Sequence, residues 1–315
     1  MKRILVTGGQ GLVGHALVME LLHREILVRV SSRQQFVSSD PRLEYVRSPE
    51  LSADADWKVA LDEVDGVVHC AARVHVMREG ADAPLDAFRA VNTAGTLNFA
   101  RQCASAGVKR FVFISSVKVN GEFTRPGGAF TEGDVTAPSD PYGMSKHEAE
   151  LGLRCIAADT GMEIVIIRPP LIYGPGVKAN FLALMRVVRR GVPLPLGAVR
   201  NLRSLLALDN LIDFILLCLS HPAAANETFF VSDGNDLSTP QLIQGLAQAS
   251  GVSPRLLPVP IWMLRTIAGA LGKGDALQRL CGNLQVDISK AQQLLGWRPP
   301  LSVDAGLRRA VEGIQ

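Results

Sequence analysis

A chain of 315 residues, 47% apolar and 20% charged, can bury one large core or two modest ones, and this composition excludes a disordered or fibrous protein. A formal net charge of +3 without any Lys/Arg block argues against a dedicated nucleic-acid binder and does not disfavour an anionic ligand. The five cysteines (Cys70, Cys103, Cys155, Cys218, Cys281) lack C-x-x-C spacing and read as reduced, mostly buried thiols, with no metal site or disulfide framework expected.

Taken in order, Met1-Lys2-Arg3-Ile4-Leu5-Val6 enters a glycine-rich turn too soon for a signal peptide, so a cytoplasmic location is expected. Residues 4–6 read as a buried strand, followed by Thr7-Gly8-Gly9-Gln10-Gly11-Leu12-Val13-Gly14 and a helical apolar period over 16–22. Strand, glycine turn and helix together make a dinucleotide site. Gly8 permits the turn, Gly11 lets the backbone approach a diphosphate, and Gly14 lets helix and strand pack closely, with Leu12 and Val13 at the helix N-terminus.

The next strand, 26–30, ends in Ser31-Ser32-Arg33, where a site for NAD would carry an acidic residue for the ribose hydroxyls. Two hydroxyls and a guanidinium suit a 2′-phosphate, so NADP(H) is favoured, with NAD(H) as the alternative. A strand at 43–46 precedes Glu50 and Leu51, which join the candidate cofactor set, and a helix is expected over 56–61. The strand 64–69 ends at His69 and the small residues Cys70, Ala71 and Ala72, the two alanines allowing a cofactor to lie close. His69 itself reads as structural.

One helix is expected over 86–107, containing Asn92, then a strand 110–115, a helix 141–160 and a strand 163–168. This alternation predicts an α/β fold, a doubly wound parallel sheet with ligands at the C-terminal strand ends. Beyond residue 170 the chain holds more proline and fewer strands. Residues 1–170 are therefore assigned to dinucleotide binding, and 171–315 mainly to a smaller, discontinuous substrate-binding portion with segments returning to the sheet. Asn180, Arg203 and Arg279 are its candidate substrate ligands, the arginines as phosphate partners. The apolar stretches 205–219 and 259–271 are too short and too interrupted to span a membrane and read as core helices; the second could alternatively lie against a membrane surface. Residues 73–84 and 256–279 are expected to line the substrate pocket.

Chemistry concentrates between Phe111-Val112-Phe113-Ile114-Ser115-Ser116 and Tyr142-Gly143-Met144-Ser145-Lys146. Tyr142 and Lys146 stand one helical turn apart, so a cation would lie beside a phenol and lower its pKa toward a useful range.

Together these motifs resemble the extended short-chain dehydrogenase/reductase family over essentially the whole length. The glycine turn matches T-G-G-x-G-x-x-G and Tyr142 to Lys146 matches Y-x-x-x-K. Further matches are Val91-Asn92-Thr93-Ala94-Gly95-Thr96, Arg168-Pro169-Pro170 leading to Tyr173-Gly174-Pro175-Gly176, Leu208-Asp209-Asn210, and Asp287-Ile288-Ser289-Lys290-Ala291 followed by Leu295-Gly296-Trp297. The family's S-x-x-V-Y-G pattern puts the catalytic serine on Ser116, with Ser115 beside it and Asn120 where tyrosine is usual.

The resemblance implies a Rossmann fold in which Tyr142 exchanges a proton with the substrate oxygen, Ser116 hydrogen-bonds that oxygen, and Lys146 binds the nicotinamide ribose and depresses the tyrosine pKa. Arg168 is implied on the substrate or diphosphate side of the cleft, a structural ion pair being the alternative. A nucleotide-diphosphate sugar, UDP-linked, is the implied substrate, and a homodimer through the helices at 86–107 and 141–160 is the implied assembly. Three reactions compete. Dehydration is disfavoured because Val117 and Lys118 stand where an acid pair would follow the serine. Ser31-Ser32-Arg33 favours NADPH-dependent reduction of a 4-keto-6-deoxy-hexosamine, as in bacterial O-antigen and lipopolysaccharide enzymes, over 4-epimerisation with tightly held NAD. A non-catalytic NAD(P)-binding regulator or assembly protein is disfavoured by the presence of Ser116, Tyr142 and Lys146 together.

Overall fold

A computed structural model describes residues 3–35, 38–74, 85–272 and 274–313. Seven parallel strands form the central sheet in the order β3-β2-β1-β4-β5-β6-β9: β1 (Arg3–Thr7), β2 (Leu27–Ser32), β3 (Leu43–Arg47), β4 (Gly66–His69), β5 (Arg110–Ile114), β6 (Glu163–Arg168) and β9 (Thr228–Phe230). The order reverses between β1 and β4, the place where an open α/β sheet leaves a crevice at its C-terminal edge. The central strands β1, β4, β5 and β6 are buried nearly end to end, as their continuous Val/Ile/Phe runs require of a sheet covered on both faces.

One face is covered by α1 (Leu12–His23) and, further along the chain, by α7 (Leu208–Ser220). The other face carries α2 (Lys58–Leu61), α4 (Thr96–Ser105) and α5 (Pro141–Thr160), packed through Trp57, Phe99, Ala149 and Leu153. A continuous α-helix is not what forms over 86–107. The short α3 (Leu85–Phe88) runs into a π-helical turn, Arg89–Gly95, before α4 begins. Asn92, in this turn, is drawn out of a regular ladder by side-chain bonds to the backbone of Arg73 and to Ser145, a cause known to widen helices.

The C-terminal portion adds a two-stranded parallel pair, β7 (Leu171–Tyr173) with β8 (Leu205–Ala207), and α6 (Ala179–Arg189), α8 (Thr239–Ala249), α9 (Ile261–Ala270), α10 (Gly274–Cys281), α11 (Ser289–Leu295) and α12 (Val303–Glu312). Tyr173, Asp233 and Asn210 pin it together. The Tyr173 hydroxyl donates to Asp233 Oδ2 at 2.7 Å, and Asp233 Oδ1 accepts from Asn210 Nδ2 at 2.7 Å and from the Ala207 N–H at 2.8 Å. Several resemblance motifs thus serve architecture. Trp297 is another, its Nε1–H donating to Asp213 of α7 at 2.9 Å.

No helix among the described residues is long and apolar enough to cross a membrane. Of the stretch at 205–219, residues 205–207 form β8 in place of helix, and the rest is the core helix α7, nine of whose thirteen residues are buried. The stretch at 259–271 is not: α9 buries only Leu264. All five cysteines are free thiols; Cys103 and Cys218 are buried, Cys70 and Cys281 half-buried, and Cys155 exposed. Most of the loop expected to line the pocket, residues 75–84, lies outside the described residues.

Candidate active site

The glycine turn forms as its sequence requires. Gly8 adopts φ +68°, and a Cβ there would fall 2.9 Å from the Ala71 nitrogen. A Cβ on Gly14 would lie 2.3 Å from the Gly8 carbonyl oxygen, so the start of α1 packs directly on the turn. Gly11, the N-cap of α1, offers no side chain to the first N–H groups, and the first turn holds no acid. A twelve-residue helix with open N–H groups, Leu12 and Val13 at its start, and a glycine at the point of approach fits a dinucleotide diphosphate. Ala71 and Ala72 lie opposite the turn, where the Ala71 N–H donates to Thr7 Oγ1 at 3.3 Å.

At the end of β2, Ser31 is fully buried and its hydroxyl has no hydrogen-bond partner, while Ser32 donates to the carbonyl of Gln34 and Arg33 is exposed. An orphaned buried hydroxyl beside an exposed guanidinium, with no carboxylate at the strand end, fits the adenosine side of the same dinucleotide. Glu50 is exposed, and Leu51 packs against Gly95 at the start of α4.

β5 delivers Ser115 and Ser116 to the sheet edge, and their roles separate. Ser115 is buried and donates to Glu150 Oε1 at 2.6 Å. Ser116 is only half-buried; it N-caps a short 3₁₀ turn, Val117–Val119, its Oγ accepting from the Lys118 N–H at 3.2 Å. Asp140 N-caps α5 with Pro141 in the first turn, a sequence pattern that fixes where the helix begins and so where Tyr142 sits. Tyr142 is half-buried, edge-on to Phe88 at 6.4 Å between ring centres.

Lys146 is buried, donates from Nζ to the carbonyl of Ile114 at 2.8 Å, and lies 4.2 Å from the centre of the Phe113 ring. Burial, against weaker attraction from Cys70 and Glu150, lowers its pKa to about 8. The expected depression of the Tyr142 pKa is not found: loss of water around the phenol, and secondarily the negative charge of Asp140, raise it.

Arg168 lies on the structural side of the two alternatives. Its side chain is sealed from water, donating to Glu150 through Nε at 3.0 Å and Nη2 at 2.5 Å and to Asn120 Oδ1 through Nη1 at 2.8 Å. Asn120, standing where the family pattern has tyrosine, therefore holds this pair, and its own Nδ2 is buried without a partner. Asn92 bonds the backbone of Arg73 on both sides and donates to Ser145 Oγ at 3.0 Å, and Ser145 donates to the Tyr142 carbonyl at 2.8 Å.

Arg203 is half-buried, donating to the Gly282 carbonyl at 3.1 Å, just past the end of α10 that carries the exposed Arg279; Asn180 is exposed on α6. Burial lowers the Arg203 pKa, opposed by the charge of Glu122. Glu122 in turn accepts from Lys118 Nζ at 3.0 Å, and Lys118 also pairs with Asp140. This chain of charges runs from Arg203 to the first turn of α5. It was not foreseen from the sequence, because Lys118, Glu122 and Asp140 are brought together by loops. Of the three, Asp140 has a local signal, an N-cap type of residue directly before Pro141, that the motifs considered above did not use. A groove of about 630 Å³ between α1 and α7 shares Gly11 and Leu12 with the cofactor set but contains none of Ser116, Tyr142 and Lys146.

Residues 4–231 match the model of the "NAD dependent epimerase/dehydratase family". A UDP-glucose 4-epimerase of Vibrio cholerae is 46% identical over 312 residues, covering 99% of this chain and 95% of that protein. Among solved structures, MoeE5 in complex with UDP-glucose and NAD superposes with a TM-score of 0.79 at 23% identity, covering 99% of this chain and 98% of the other. UDP-glucose 4-epimerase of Thermotoga maritima gives 0.78 at 24% identity, with the same coverage. Both share the fold.

Proposed function

Because the chain belongs to the NAD-dependent epimerase/dehydratase family, we propose that it moves hydride at C4 of a UDP-linked hexose. The observation that carries this reading is the end-to-end likeness to a UDP-glucose 4-epimerase, 46% identical, in a chain that keeps Ser116, Tyr142 and Lys146 around the C-terminal end of β5. A nicotinamide dinucleotide held by the glycine turn supplies the hydride acceptor or donor. Tyr142 exchanges the proton with the sugar 4-oxygen: its raised pKa keeps the phenol protonated as donor in the reductive half, and opposes the oxidative half, in which the phenolate must accept the 4-hydroxyl proton. Ser116, half-buried at the strand end, hydrogen-bonds the same oxygen. Lys146 holds α5 against β5 and keeps N–H groups for the ribose. Arg203 and Arg279 serve the diphosphate.

4-Epimerisation is the outcome that the 46% relative supports. A second reading, NADPH-dependent reduction of a UDP-linked 4-keto-6-deoxy-hexosamine for surface polysaccharide, is supported by the absence of a carboxylate at Ser31, Ser32 and Arg33. Dehydration lacks support because Lys118 takes the place of an acid, and Glu122 and Asp140 are both bound to it.

The test is to denature the purified protein and identify any released dinucleotide, then to assay UDP-glucose with no cofactor added and a UDP-4-keto sugar with NADPH. Retained NAD with interconversion of UDP-glucose and UDP-galactose supports epimerisation. Nothing retained and stoichiometric NADPH oxidation supports reduction, and turnover in neither assay overturns both. Tyr142→Phe turning over as fast as the parent would remove the proton relay. We further propose a homodimer through α5 and the run from α3 to α4, bearing Ala90 in the π-helical turn, Leu97 on α4 and Leu151 on α5; a monomer by light scattering would exclude it.

A further inference from the structure

We propose that the exposed face of α9, with Trp262, Met263, Ile267 and Leu271, Arg265 on the same helix and Arg255 in the segment leading into it, docks this chain onto an anionic lipid bilayer. Apolar helices in this fold are otherwise covered. α7, as apolar as α9, buries nine residues, whereas α9 buries Leu264 alone and leaves Trp262 69%, Ile267 53% and Leu271 66% exposed. Leu264 anchors α9 among the apolar residues of the C-terminal portion, beside Leu277 and Cys281 of α10. At 100° per residue, Trp262 lies about 200° around the helix from Leu264 and therefore points away from the protein. Met263, about 100° from Trp262, starts a row spaced by four through Ile267 and Leu271 that turns back toward the Leu264 side, so Trp262 and Met263 head the exposed arc and Ile267 and Leu271 form its far edge.

Charge selects the occupant. Residues 252–282 contain four Lys/Arg and one Asp, so this short stretch carries the whole net charge of +3 and the rest of the chain is balanced. Arg255 and Arg265 are exposed, and neither enters an ion pair among the described residues. A second copy would bring like charges together across a two-fold contact, which disfavours self-association through this face. A tryptophan and branched aliphatic side chains bordered by arginines match instead the boundary of an anionic bilayer, where the rings and alkyl groups enter the acyl region and the guanidinium groups meet lipid phosphate.

The tryptophans supply the measurement. Trp57 and Trp297 are buried, 1% and 4% exposed, so a solvent-sensitive change in emission reports Trp262. The full chain is mixed with phosphatidylglycerol vesicles and, separately, with phosphatidylcholine vesicles. Expected are a blue shift, quenching by brominated acyl chains and co-sedimentation with the anionic vesicles, all weakened by salt. Arg255→Gln with Arg265→Gln lowers partitioning about fivefold per cation, and Trp262→Ser, followed by sedimentation, lowers it about tenfold. These side chains are exposed, and unchanged thermal melting verifies the fold of each variant. The proposal is overturned if the chain stays in the supernatant with an unshifted emission, or if neutral vesicles bind it equally and the arginine variants match the parent. A blue shift that grows with protein concentration in the absence of lipid would assign the face to a second copy and would equally overturn it.

Discussion

Glu150 and Arg168 meet as a two-pronged ion pair sealed from water, 0% and 2% exposed, one helical turn beyond Lys146. Ser115 adds a third hydrogen bond to the carboxylate, and Asn120 takes the remaining guanidinium edge. Arg154 Nη2 also reaches the carboxylate at 3.1 Å, so Glu150 keeps a partner without Arg168, whereas removing Glu150 leaves Arg168 as an uncompensated buried charge. Glu150→Gln is therefore expected to cost about 3–5 kcal/mol in urea unfolding. The double variant Glu150→Leu with Arg168→Met is expected to be more stable than either single one, since neither charge is then stranded. A Glu150→Gln protein within 1 kcal/mol of the parent would mean the pair is not buried as described.

Lys118 joins the two halves of the proposed relay. Its N–H donates to Ser116 Oγ, its ammonium pairs with Asp140, the N-cap of α5, and its carbonyl oxygen would lie 2.7 Å from a Cβ on Gly143. Burial tends to raise the Asp140 pKa, but the Gly143 N–H and the Lys118 ammonium outweigh it and hold the carboxyl low. Lys118→Met is expected to lower kcat about 10- to 100-fold with little change in KM, as a small displacement of Tyr142 from Ser116 would. Lys118→Arg should restore much of it. A purely structural lysine would instead lower stability and leave kcat per folded molecule unchanged. Gly143→Ala, which pushes the 3₁₀ turn off α5 by contact with backbone, should give the same kcat loss without altering any charge.

What could be read from the chain in advance follows from locality. The strands at β1, β5 and β6, the helix Pro141–Thr160 and the glycine turn are fixed by contiguous patterns, and the structure has them where those patterns lie. The π-helical turn at Arg89–Gly95 depends on Asn92 reaching Arg73 and Ser145, partners 19 and 53 positions away, so no local signal marks it. Likewise the Lys118 cluster, with Asp140 22 positions off, and the burial of Arg168 against Glu150 are products of tertiary packing. α9 misled for the opposite reason: apolar content implied burial, yet hydrophobic composition alone does not say which face finds a partner.

Arg33 tests which dinucleotide the β2 terminus prefers. If its exposed guanidinium binds a 2′-phosphate, Arg33→Ala removes a charge-assisted interaction worth about 1.5–3 kcal/mol. NADPH affinity should then fall about ten- to hundredfold, with NADH affinity nearly unchanged, as read by nucleotide titration. Equal, small effects on both would assign Arg33 to the solvated surface and strengthen the epimerase reading. Ser31→Ala should be neutral or slightly stabilising without ligand, because its buried hydroxyl has no partner to lose.

His69 makes acid stability readable. It is fully buried between Thr7, 2.7 Å from Nδ1, and Thr96, 3.1 Å from Nε2, and burial, aided by the charge of Lys146, lowers its pKa from 6.5 to about 3. Above pH 6.5 the imidazole is neutral in both folded and unfolded chains, so its packing contribution is fully present. Between pH 6.5 and 3 the unfolded chain takes up a proton that the folded chain refuses, and stability falls as pH drops, by about 1.4 kcal/mol per pH unit from this residue. His69→Asn retains hydrogen-bonding groups between the two threonines and abolishes the titration. The stability gap between parent and variant should therefore shift in the variant's favour from pH 6.5 downward, at that slope, while the other acid-sensitive groups cancel in the comparison. Parallel stability curves across this range would show that His69 accepts a proton in place, and that the Thr7–His69–Thr96 bridge between β1, β4 and α4 tolerates a charge.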